Sequence, residues 1–123
     1  MKQYTCTCHI DMGTADFIVE RNAQQVTLQL PEHSAERVRR LKDGLPPTVS
    51  IDPCIVECIK ELWENGIETT GCCCGHRRQR AWVNVASSSY EKMYELGYEL
   101  KMPELIRPGV VHGLYTFYLG RRW

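Results

Sequence analysis

Apolar and polar side chains alternate over Val26-Thr27-Leu28-Gln29-Leu30, the period-two pattern of a strand with one face toward a core. An extended stretch over residues 14–20 precedes it, and the polar run Arg21-Asn22-Ala23-Gln24-Gln25 between the two predicts a hairpin within residues 10–30. The spacing then turns helical. Ser34-Ala35-Glu36-Arg37-Val38-Arg39-Arg40-Leu41 has a capping serine and a basic outer face, and Asp43-Gly44 with Pro46-Pro47 stops it. Residues 48–51 read as a brief strand. Asp52 follows as an N-cap with Pro53 at the first helical position, and Ile55, Ile59, Leu62 and Trp63 recur at helical spacing until Gly66.

Residues 67–70 predict a strand running into a cysteine-rich turn, with Ala81-Trp82-Val83-Asn84-Val85 as its partner across a loop at 75–80. Ser88 and Glu91 have capping-box spacing and predict a helix over residues 89–96, ended by Gly97. Residues 98–100 extend again, Pro103 and Pro108 mark a connecting loop, and residues 113–119 form an aromatic strand before the basic end Arg121-Arg122-Trp123. From residue 48 onward the order is strand, helix, hairpin, helix, strand. That order predicts the α+β class: an antiparallel sheet with two main helices on one face, zinc-tied, and ferredoxin-like over residues 48–119. The hairpin at 10–30 is expected to pack on the core at 48–119, so residues 1–123 form a single domain.

Composition narrows the function classes. The chain has 123 residues, 43% hydrophobic and 24% charged, which is globular rather than disordered. Lysine and arginine number 15 against 15 acidic residues, so any nucleic-acid role must come from a local patch. No charged-then-apolar leader is present and no apolar stretch approaches the ~18 residues of a membrane span; a cytoplasmic protein without a membrane partner is the expectation. Seven cysteines cannot all pair, and their clustering points to thiolate chemistry in a reducing compartment.

The chemistry concentrates in Gly71-Cys72-Cys73-Cys74-Gly75-His76. Three adjacent thiols cannot all face one core, and Cys73-Cys74-Gly75-His76 has the C-x-x-H spacing of half a zinc knuckle. Cys54 stands at the start of the predicted helix, where amide donors and the helix dipole favour a thiolate; Cys58 lies one turn on. Cys54, Cys73, His76 and either Cys74 or Cys58 fill four tetrahedral positions, and sulfur-rich ligation with an imidazole favours zinc over magnesium or calcium and sets it ahead of iron. Cys58 shares the face of Ile55 and Leu62, so core packing is its commoner explanation. Cys6-Thr7-Cys8-His9 is a smaller group more in keeping with a terminal strand than a second metal site, and His33 and His112 read as surface or loop residues.

Ile51-Asp52-Pro53-Cys54-Ile55, the stretch from Gly66-Ile67-Glu68 to Cys73-Cys74-Gly75-His76, and a helix ending Leu96-Gly97-Tyr98 resemble a group of short, mostly uncharacterised bacteriophage and prophage proteins. The similarity spans roughly residues 50–100. It implies a metal-binding fold and a mobile-element origin, and it puts the repeated positions on Cys54, Cys73, Cys74 and His76. The first functional expectation is thus a small zinc-binding accessory protein, host-cytoplasmic if phage-encoded, that binds a host or defence component while four protein ligands close the metal to substrate. A nucleic-acid-binding module is the alternative, through Arg77, Arg78 and Arg80 with Trp82 for stacking. A zinc-dependent hydrolase whose metal keeps an open position, with Glu57 or Glu68 as general base, is the other alternative. No nucleophile elbow, His-Glu-x-x-His or phosphate loop is present, and the Pro-Cys-x-x-Cys and His-x-Glu of zinc deaminases are missing.

Overall fold

The period-two run forms strand β1 (Val26–Gln29), paired antiparallel with β2 (Thr48–Ile51) so that Val26 faces Ile51 and Gln29 faces Thr48. This is seen in a computed structural model that describes residues 25–75, 80–105 and 114–119. The first arm of the expected hairpin, residues 14–20, lies outside the described residues. The connection from β1 to β2 is helix α1 (Ala35–Lys42), capped where the Ser34 hydroxyl accepts the Arg37 N–H at 3.3 Å. No residue of α1 is buried. The cap and the ion pairs of Glu36 with Arg39 (2.6 Å) and Arg40 (2.8 Å) support it in place of a packed face.

A 3-10 turn at Pro53–Ile55 leads into α2 (Val56–Glu64), with Pro53 at the first position, where no backbone donor is needed. Of the predicted stripe Ile55, Ile59 and Leu62 are buried and Trp63 is half-buried, and Val56 and Cys58 join them in the core. Gly66 takes φ +77°, which lets its own N–H reach the Trp63 carbonyl and the Ile67 N–H reach that of Leu62, both at 3.0 Å. These two bonds satisfy carbonyls that the helix end leaves open.

Strands β3 (Thr69–Cys73), β4 (Trp82–Ala86), β5 (Leu100–Leu105) and β6 (Leu114–Tyr118) form one antiparallel sheet in the order β3-β4-β6-β5. Helix α3 (Tyr90–Glu95) follows β4 through a 3-10 turn at Ser87–Ser89. Val83 and Val85 on β4 stand opposite Phe117 and Tyr115 on β6, and this face packs into one core with Ile55, Ile59 and Leu62 from the α2 region and Met93 from α3. The Tyr90 ring lies 4.4 Å from Tyr115 and 5.9 Å from Phe117, centroid to centroid. Both main helices therefore cover the same face of an antiparallel sheet, and the α+β class holds.

The ferredoxin-like arrangement of residues 48–119 is not what forms. That topology needs the strands on either side of α2 in one sheet, whereas β2 pairs with β1 in a separate two-stranded sheet. The α1 connection returns β2 to β1, and that pairing takes it away from β3. Three local expectations also change. Asp52 makes no side-chain cap on the turn that follows it. Ser88 and Glu91 form no capping box; the buried Ser89 instead accepts the Glu68 N–H at 2.9 Å, tying α3 to the entry of β3. Pro103 lies inside β5 rather than in a loop, and β5 is an edge strand among the described residues whose register shifts between Met102 and Leu105, the setting in which a sheet accepts proline. Among the described residues no helix is long and apolar enough to cross a membrane.

Candidate metal centre

Two chain segments meet at the cysteine turn. From the helix side, Cys54 sits half-buried in the 3-10 turn rather than in the first turn of α2. Its neighbour Asp52 is 1% exposed, and a carboxylate so deeply buried must be hydrogen-bonded to persist. Asp52 Oδ2 accepts the backbone N–H of Cys74 at 3.0 Å, and Oδ1 accepts from Gln25 Nε2 at 3.4 Å. The aspartate that reads in sequence as a helix cap is instead a cross-link between the start of α2 and the end of β3.

From the hairpin side, the alternation of β3 separates the three thiols. Cys72 pairs across the ladder with Val83, on the helix-covered face, and Cys73 pairs with Trp82, on the opposite face. Cys74 follows the last paired residue, is 1% exposed, and packs into the core with Ala81 and Leu119. Gly75 takes φ +82° and its N–H donates to Cys73 Sγ at 3.4 Å. Cys58 is buried among Ile55, Ile59 and Leu62, which matches core packing.

The fold thus sets the Cys54 turn against the 73–75 turn through Asp52. Among the described residues, however, no three His, Cys, Asp or Glu side chains are grouped to hold a metal ion, so Cys54, Cys73 and Cys74 do not by themselves form a three-donor cluster. His76 lies outside the described residues, as do Arg77, Arg78, Cys6, Cys8, His9 and His112. His33 Nε2 lies 2.9 Å from the Trp63 carbonyl and Nδ1 is 4.0 Å from Glu68, so this histidine braces the end of α2.

The other candidate residues are engaged in the fold. Arg80 Nη1 is 2.6 Å from Glu99 Oε2, and its guanidinium stacks 4.5 Å over the Tyr118 ring. Trp82 is half-buried with Lys101 Nζ 5.4 Å from its ring centroid. Glu57 is exposed and faces Lys60 at 3.8 Å, and Glu68 accepts the Ser34 hydroxyl at 3.3 Å. Sequence reasoning missed the Asp52 cross-link, because a capping aspartate and a tertiary one share the same one-dimensional signature. Comparison with protein-family models, curated proteins and solved structures finds no match.

Proposed function

We propose that the protein is a small zinc-binding accessory protein of the phage type, in which zinc held by Cys54, Cys73, Cys74 and His76 is a structural tie and the activity is binding to a host or defence component. The observation that supports this reading is the Asp52–Cys74 cross-link beside the Gly75–Cys73 N–H···S bond. One buried carboxylate holds the two cysteine-bearing turns together, and one backbone amide donates to a sulfur of the set. Cys54, Cys73, Cys74 and His76 would hold the ion, and its ligation would be coupled to folding as is usual in small zinc domains. Four protein ligands leave no position for an activated water, so the ion stabilises rather than catalyses. Arg80, committed to Glu99 and Tyr118, gives the nucleic-acid alternative little support from the described part of the loop.

The test is metal analysis of protein purified without chelator, followed by thermal melts. One zinc per chain is expected, with loss of the ion and of the cooperative melt after chelation. The Cys73→Ser and His76→Ala variants should each lose the ion and unfold, while Cys72→Ser should retain it. A folded chain, free of metal and indifferent to chelator, would end the proposal. Capture experiments with host lysate then address the partner, with the metal-depleted protein as control.

A further inference from the structure

A cleft of about 640 Å³ opens between α1, β2, the end of α2 and β3, its lining reaching Cys72 but none of Cys54, Cys73 and Cys74. Its size is that of a small-molecule site, about 300–1,000 Å³. The wall is apolar at Leu30, Val49, Ile51 and Trp63, and Arg39 and Arg40 from α1 stand at its rim. The Trp63 indole N–H is already given to Thr69 Oγ1 at 2.9 Å, so the ring is fixed in place and contributes surface rather than a donor.

The arginines define the polarity of the rim. Arg39 Nη2 and Arg40 Nε reach the same oxygen, Glu36 Oε1, at 2.6 and 2.8 Å, and Arg39 Nε adds a bond to Oε2 at 3.1 Å. Two guanidiniums are thus converged on one carboxylate at the mouth of the cleft, an arrangement that suits an incoming anion as well as it suits Glu36. Glu68, also in the lining, is bonded to the Ser34 hydroxyl at the N-terminal end of α1 and faces His33, whereas Arg39 and Arg40 stand in the last turn, so the positive end of the cleft is the C-terminal end of α1.

We propose that this cleft binds a small aromatic anion, its acidic group meeting Arg39 and Arg40 and its ring lying on the apolar wall at Trp63, Val49 and Leu30. Glu36 competes for the same guanidiniums and so tunes the affinity downward. This site is independent of the metal reading, because none of the proposed zinc ligands lines it.

The experiment titrates the folded protein as purified with 8-anilinonaphthalene-1-sulfonate and, in parallel, with the uncharged N-phenyl-1-naphthylamine, following probe fluorescence and Trp63-region shifts by NMR. Saturable one-to-one binding of the sulfonate is expected, at least about tenfold tighter than the neutral probe. Arg40→Gln should weaken the sulfonate about tenfold without changing the neutral probe, and Glu36→Gln should tighten it by releasing both guanidiniums. Ala35→Trp, which fills the mouth from an exposed position, should abolish both. The proposal is overturned if the sulfonate binds no better than the neutral probe, if Glu36→Gln weakens it as Arg40→Gln does, or if Ala35→Trp leaves binding intact. Equal shifts across the whole NMR spectrum, the mark of a loosened fold, would overturn it as well.

Discussion

Replacing Asp52 tests whether a single buried carboxylate joins the two halves of the cysteine turn. In Asp52→Ala the Cys74 N–H, at a residue 1% exposed, loses its acceptor at Oδ2, and water has little access to replace it. A buried donor left without a partner costs about 1–3 kcal/mol. The second bond, from Gln25 Nε2 at 3.4 Å, is longer and comes from a half-buried side chain that can turn to solvent, so it adds little. A loss of about 2 kcal/mol is therefore expected, which at a urea slope of roughly 2 kcal/mol/M lowers the midpoint by about 1 M. Asp52→Asn keeps one oxygen for the Cys74 N–H and should cost less than half as much. The assay is urea unfolding of both variants and the parent at fixed zinc, read by tryptophan fluorescence and circular dichroism. If Asp52→Ala stays within about 0.5 kcal/mol of the parent, or if Asp52→Asn is as damaging as alanine, the cross-link does not hold the turn and the argument from it fails.

Further outcomes follow from the same packing. Phe117, fully buried opposite Val83, should cost about 3–5 kcal/mol on truncation to alanine, measurable by the same unfolding curves. Burial first, then the charges of Glu61 and Cys58, push the Tyr98 hydroxyl up to about 12 from an ordinary value near 10. Its neutral form therefore stabilises the fold fully below pH 10, and that contribution is lost as pH rises toward about 12; Tyr98→Phe should remove this part of the alkaline loss in a pH series of melts. Glu36 is held below the usual carboxylate value of 4.5, chiefly by its hydrogen bond from Arg39 against a smaller opposing effect of burial, with Arg40 adding to the lowering. Its contribution is present above pH 4.5 and fades as pH falls below it, so Glu36→Gln should flatten the acid end of the stability profile slightly, the pair being open to solvent.

The helices and strands were readable along the chain because each has its own local cause. Ser34 capping α1, the Ile55–Ile59–Leu62 stripe of α2, Gly66 ending it, and the Val83–Val85 alternation of β4 depend on side-chain period and backbone freedom, which a one-dimensional pattern carries. The antiparallel α+β class followed from their order. Tertiary structure alone decided which strand β2 joins, whether Asp52 caps its own helix or bonds to Cys74, and that Ser89 serves Glu68 rather than a capping box. It also decided which of the adjacent thiols meets which face, since the ladder register puts Cys72 against Val83 and Cys73 against Trp82. The physical reason is one of reach. Period and capping involve groups within one turn of each other, whereas a buried polar atom takes whichever partner the folded chain brings to it, and here the partner of Asp52 lies 22 residues away.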